Sequence, residues 1–199
     1  MEEKFYDKLK ERVKNTLGEK GSHDFGHVER VYNYSVLISK GLDVDLEIVK
    51  ASALLHDISK YKEVSGKIQD HAAHGAIEAR KILEKLNFPK EKIEIVCKCI
   101  LLHNKKQDLS ETKEVRVLQE ADGLETIGAI GIARAFSYTG EKNTWNNSFP
   151  ESPVNELIRH LNVDYFKLPV ARELAKRKIE LTKNFCDYFI KECNMEIIN

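Results

Sequence analysis

The sequence has no apolar run long enough to cross a bilayer. Stretches such as "ASALL" at 51–55 stop far short of the roughly 20 residues a helical span needs. It has no charge imbalance either. The 199 residues carry 32 Lys plus Arg against 32 Asp plus Glu, so no global field draws the chain to nucleic acid or to an anionic membrane. Cysteines are few, at Cys97, Cys99, Cys186 and Cys193. In "EIVCKCILL" a helix would point the first two about 200° apart, and the second two are badly spaced for a matching pair. Buried or spare thiols in a reducing compartment are therefore a better reading than a cysteine zinc site. Sustained period-two alternation is missing, which argues against a sheet. Internal repeats, low-complexity tracts and linkers rich in Pro, Gly or Ser are also absent, so the length predicts one domain over 1–199. The opening "MEEKFYDKLKERVKN" is charged throughout, unlike a signal peptide, and predicts a cytoplasmic protein.

What the chain does have is helical periodicity. It predicts helices over 2–17, 25–40, 44–58, 71–86, 90–103, 111–122, 124–138, 153–161 and 168–194. Breaks fall at "GEKGSHD", "GLDVD" and "NFPKE", and Asp24 reads as the cap of the second helix. The fold class is all-α. The one long irregular stretch, 138–153, carries Trp145 and Phe149 and reads as a binding loop or as an aromatic plug over the core.

Four of these helices carry a polar residue on an apolar stripe. His27 shares a face with Val31, Tyr34 and Ile38, and His56 with Val49 and Ala53. Asp122 follows Val115 and Leu118, and His103 follows Val96 and Ile100. A single buried histidine is usually a hydrogen-bonded core residue. Buried carboxylates at Asp57 and Asp122 are costlier and need partners. One divalent cation shared by His27, His56, Asp57 and Asp122 would satisfy all four. Mixed imidazole and carboxylate ligands suit Mn, Fe, Co, Ni or Zn better than Ca.

The order His27…His56-Asp57…Asp122 resembles that of the HD-domain superfamily of metal-dependent phosphohydrolases. "SHDFGHVERV" at 22–31, "ALLHDISK" at 53–60, "QEADGLETIGAIGIARAF" at 119–136 and "HLNVDYFKLPVARELAKRKIELTKNF" at 160–185 are similar to the motifs of a small, single-domain bacterial and archaeal subgroup. The resemblance implies a helical HD-like bundle with its core motifs over 22–136 and C-terminal helices over 153–194. It implies one divalent metal (Mn, Mg, Co, Ni, Fe or Zn) on His27, His56, Asp57 and Asp122. It also implies hydrolysis of phosphate esters or anhydrides, in close relatives of nucleoside triphosphates to monophosphate and pyrophosphate. Relatives usually read Asp-Arg-Leu where this chain has Asp122-Gly123-Leu124, so a cation beside the metal ligand is missing.

A second histidine group follows in "QDHAAHGAIEARKIL". His71 shares a face with Gly75, Ala79 and Ile82 and points inward, whereas His74 falls at the rim, where it would meet substrate. His71-x-x-x-Gly75-Ala76 and His103 resemble ligands of two-metal HD proteins, which implies a second metal on Asp57, His71 and His103. The other readings make His71 and His103 phosphate contacts or proton donors, or purely structural. Asp57 is placed to orient or deprotonate the attacking water. Lys60, Arg30 and Arg134 are candidate phosphate cations, Lys60 also catalytic, with a solvated surface role as the alternative for each. Lys105 and Lys106, beside His103, read as surface charge.

The expected function is a metal-dependent phosphohydrolase acting on a nucleotide or similar phosphorylated metabolite, with no nucleic-acid or membrane partner. A phosphomonoesterase, a two-iron oxygenase and a non-catalytic nucleotide sensor are the rivals. A homodimer stays open, since no coiled-coil pattern marks an interface.

Overall fold

A computed structural model of the chain describes residues 3–17, 23–105, 112–142, 144 and 153–196. Every regular element among them is a helix, so the fold is all-α, as the periodicity predicts. The chain divides into two compact units, Met1–Asp122 and Gly123–Asn199.

The first unit holds α1 (Glu3–Leu17), α2 (Phe25–Ile38), α3 (Leu46–Leu55), α4 (Lys60–Val64), α5 (His71–Lys85), α6 (Lys90–Leu102) and α7, which runs from Lys113 to Gly123. Aspartates start three of them. Asp24, Asp45 and Asp70 each accept backbone N–H groups from the first turn of α2, α3 and α5, satisfying donors that a helix start leaves bare. Helix α3 packs on α2 and α6, and α6 on α5. Their apolar stripes bury Val31, Ile38, Val49, Leu54, Leu83, Val96 and Ile100 completely or nearly so. Burying a side chain of this size is worth about 1.5–3 kcal/mol, and that sum holds the inward polar residues in place.

In the second unit, α8 (Gly128–Glu141), α9 (Pro153–Arg159) and α10 (Pro169–Cys193) pack around Val154, Leu157 and Cys186. Phe136, Phe185 and Phe189 meet there with ring centroids 5.8 to 6.0 Å apart. The continuous helix predicted over 124–138 is in fact a 3-10 turn, Leu124–Thr126, then a break, then α8. Gly128 makes the break with a left-handed φ of 77°, and a Cβ there would lie 2.8 Å from Cε of Lys178. Lys178 Nζ donates to the Leu124 carbonyl at 2.6 Å, and Thr182 Oγ1 accepts from Gly128 N at 2.7 Å. At Gly131 a Cβ would lie 2.4 Å from the Thr126 carbonyl carbon, so only glycine lets α8 leave the corner at this angle. Helix α8 continues to Glu141, three residues past its predicted end at 138; Trp145, Phe149 and Lys106 lie outside the described residues.

Among the described residues no helix is long and apolar enough to cross a membrane. The cysteines are free thiols. Burial pushes Cys99 up to about 12 and Cys186 up to about 11, so both stay protonated.

Candidate metal centre

The inward histidines arrive in chemically defined states. His56 is the C-cap of α3, with Nδ1 2.8 Å from the Ala53 carbonyl. A carbonyl only accepts, so Nδ1 carries the proton and Nε2 presents its lone pair inward. His103, the C-cap of α6, repeats the arrangement with Nδ1 2.6 Å from the Ile100 carbonyl. Two helix ends thus orient two imidazoles with their own backbone. His27 sits in the first turn of α2, its N–H held by Asp24 at 2.9 Å.

Asp57 follows in the turn after α3, its side chain only 5% exposed. Its two oxygens face different partners. Oδ2 lies 3.6 Å from Nε2 of both His27 and His56, which are themselves 3.3 Å apart. Oδ1 lies 3.3 Å from Nε2 of His71 and 3.7 Å from that of His103, again with 3.3 Å between the two nitrogens. Asp122, at the end of α7 and 28% exposed, places Oδ1 3.4 Å from His27 Nε2. Two groups of donor atoms, His27–His56–Asp57 and Asp57–His71–His103, are each compact enough to hold a metal ion.

The charges agree with that arrangement. Burial alone would raise the Asp57 carboxyl, but the imidazoles of His56, His23, His103 and His27 pull it well below the ordinary carboxylate range. For Asp122, burial is likewise outweighed by His27, His56 and His103. Burial and the nearby His56 push His103 down to about 4, so it is neutral and lone-pair-bearing at physiological pH.

Around this cluster stand residues to which the sequence assigns no role. Glu63, on α4 and 27% exposed, accepts from the backbone N–H of His71 at 3.1 Å and lies 2.8 Å from its Nδ1. Hydrogen bonds from Lys60 and His71 overcome the burial that would raise Glu63 and hold its carboxyl at about 2. Gln119 on α7 donates to the carbonyls of Leu102 and Lys105, both at 2.8 Å, and so clamps the segment that carries His103. The i,i+3 spacing of Lys60 and Glu63 was the available signal for the first; Gln119 opens the motif at 119–136, which by itself gives it no clamping role.

The other predicted site residues fall in varied places. Lys60, with a side chain 14% exposed, places Nζ 2.6 Å from Glu63 Oε2 and 3.3 Å from His71 Nδ1, on the ring edge away from Asp57. His74, predicted at the rim, pairs its Nδ1 with the buried hydroxyl of Ser59 at 3.0 Å. Arg30 folds back along the first turn of α2, where a Cβ on Gly26 would stand 3.3 Å from Nη1. Arg134, in the second unit, donates to the Glu125 carbonyl at 3.2 Å. His23 stands edge-on to His27, with ring centroids 5.8 Å apart.

Residues 24–127 match the family model described as the HD domain, a span running from the cap of α2 past Asp122. The chain belongs to the HD-domain family. The YpgQ protein of Bacillus subtilis is 28% identical over 186 residues, covering 90% of this chain and 86% of the relative. Its crystal structure in complex with ADP covers 94% of this chain and 97% of its own, with a TM-score of 0.74. An HD-superfamily hydrolase from Bacillus thuringiensis, 26% identical, covers 96% and 97% with a TM-score of 0.72. A predicted HD-superfamily hydrolase from an uncultured Thermotogales bacterium, also 26% identical, covers 94% and 91% with a TM-score of 0.68.

Proposed function

We propose that the chain is a metal-dependent phosphohydrolase acting on a nucleotide, splitting a nucleoside triphosphate into monophosphate and pyrophosphate. The observation that carries the reading is Asp57, whose two carboxylate oxygens face two separate histidine pairs. In each pair the nitrogens stand 3.3 Å apart, and His56 and His103 have their protons committed to backbone carbonyls, so two bare nitrogens facing each other would need a cation between them. The donor set therefore fits divalent ions, one on His27, His56, Asp57 and Asp122, and a second on Asp57, His71 and His103. Nitrogen and carboxylate donors suit Mn, Fe, Co, Ni or Zn.

A bound divalent ion supplies Lewis acidity, dropping the pKa of a water toward neutrality and screening phosphate charge. The residues do the rest. The Asp57 carboxylate, held below the ordinary carboxylate range, orients the attacking water and accepts its hydrogen bond. With Nδ1 on a backbone carbonyl, His103 and His56 turn Nε2 toward the centre. The guanidinium of Arg30, and the ammonium of Lys60 when it leaves Glu63, are candidate cations for phosphate oxygens. The ADP held by YpgQ supports a nucleotide ligand for this chain too.

The test is a screen of nucleoside triphosphates, nucleoside monophosphates and phosphorylated metabolites with Mn, Mg, Co and Ni, followed for both phosphate and pyrophosphate. Pyrophosphate in equal amount to nucleoside monophosphate is expected. Inorganic phosphate without pyrophosphate would replace the reading with a phosphomonoesterase, and binding without turnover would replace it with a sensor.

A further inference from the structure

The back edge of His71 is as closely held as its front. Nε2 faces Asp57 Oδ1 at 3.3 Å and His103 Nε2 at 3.3 Å. Nδ1 faces two groups, the Glu63 carboxylate at 2.8 Å and the Lys60 ammonium at 3.3 Å. These two demand opposite tautomers. A carboxylate accepts, so it needs hydrogen on Nδ1; an ammonium donates, so it needs Nδ1 bare.

Three observations decide between them. The carboxylate is the nearer by half an ångström. Lys60 Nζ is committed at 2.6 Å to Glu63 Oε2. Glu63 Oε1 also takes the His71 backbone N–H at 3.1 Å, so the same oxygen grips the residue twice. We infer that Glu63 is a positioning residue for His71: it holds the proton on Nδ1 and leaves the Nε2 lone pair for the ion shared with Asp57 and His103. Lys60 then serves as the counter-ion that orients Glu63. His56 and His103 obtain the same tautomer from carbonyls of their own helices, at 2.8 and 2.6 Å. His71 cannot, because it stands at the first position of α5, where no preceding turn supplies a carbonyl. Helix α4 substitutes a side chain for that missing backbone acceptor. Outer-shell partners of this kind typically change metal affinity by about 10–100-fold.

The inference rests on the two-metal reading above for its consequence, but not for its first readout. In the metal-free protein, nitrogen-15 NMR of the histidine rings should show His71 as the Nδ1–H tautomer in the wild type. Glu63→Leu and Glu63→Ala should both shift it toward Nε2–H while His56 and His103 keep theirs. Calorimetric titration with Mn should then show the second of two sites weakened by about 10–100-fold, and Glu63→Asp should restore part of the loss. An unchanged His71 tautomer in folded Glu63→Ala overturns the inference, and so does equal weakening of both sites. A wild type that binds one Mn overturns the two-metal reading instead, leaving the tautomer result to decide the role of Glu63. If Glu63→Ala does not fold, the tautomer and titration of Glu63→Leu decide in the same way.

Discussion

Asp57 and His71 stand 3.3 Å apart, Oδ1 to Nε2, although they come from a turn and from the start of a different helix. The contact turns a mononuclear donor set into one with room for two ions, because Oδ2 is left to His27 and His56. His71→Ala or His103→Ala should therefore lower metal stoichiometry from two ions per chain to one, read by elemental analysis after dialysis. Activity should fall by orders of magnitude while the first ion stays. Stoichiometry unchanged in both variants would return these histidines to phosphate contacts.

Replacing His56 removes the donor whose tautomer is fixed by Ala53. His56→Ala and Asp57→Ala should abolish hydrolysis and metal content, with helical circular dichroism largely kept. Chelation of the wild type should lower its melting temperature as well. Binding to the folded state alone contributes about 2.7 kcal/mol when free ion is a hundredfold above Kd. At about 2–4 °C per kcal/mol for a chain of this size, that is a shift a melting curve resolves. Full activity in either variant would end the phosphohydrolase mechanism.

How much of this was legible beforehand depends on the physics of each residue. His27, His56, His103 and Asp122 were readable because an apolar stripe at helical spacing exposes any polar member. The cap Asp24 was readable as a short acceptor before an apolar run, while Asp45 and Asp70, which cap in the same way, went unread. Helix α4 escaped because "KYKEV" has no stripe, and with it went Glu63, whose role depends on where His71 begins the next helix. Lys60 read as a phosphate cation from its place after His-Asp; its pairing with Glu63 is a tertiary choice that composition cannot express. The break at Gly128 was hidden because its partners, Lys178 and Thr182, lie some fifty residues away.

Away from the centre, Lys92 ties the starts of α3 and α6 by reaching Asp45 at 2.8 Å and Glu47 at 2.6 Å. Burial alone would raise Asp45, but Lys92 and two backbone N–H groups hold it below the ordinary carboxylate range. A depressed pKa stabilises the fold fully above the unfolded value of about 3.9, and the contribution is lost as pH falls through the folded value. Lys92→Ala should thus cost at most about 1 kcal/mol at neutral pH, since all three groups are partly exposed. The difference from wild type should shrink below pH 4 and in high salt. A cost that persists in acid would assign the effect to packing of the lysine stem.

Arg134 separates a substrate contact from a brace. Its Nη1 donates to the Glu125 carbonyl at the 3-10 turn that precedes α8. Arg134→Ala should lower the melting temperature by a few degrees, as expected for losing a charge-assisted hydrogen bond of about 1.5–3 kcal/mol, with KM for nucleotide unchanged. A rise in KM at unchanged stability would restore the phosphate role expected from the sequence.

The last prediction concerns Gly123, the position at which the family resemblance leads one to expect arginine. A Cβ at this position would lie 2.8 Å from Cε1 of Tyr165 and 3.4 Å from Cε1 of Phe166. The first distance is shorter than real Cβ contacts tolerate, so any side chain must push the tyrosine ring aside. Phe166 is buried and cannot yield as readily. Helix propensity pulls the other way, since glycine within a helix costs about 1 kcal/mol relative to alanine. Overpacking of about 1–3 kcal/mol should outweigh that gain. Gly123→Arg should therefore destabilise the chain, and Gly123→Ala should do so less. Combining Gly123→Arg with Tyr165→Ala should recover much of the loss in thermal melts, a non-additivity expected only when two residues compete for one space. Additive losses in the double variant would mean that Tyr165 is not what keeps arginine out.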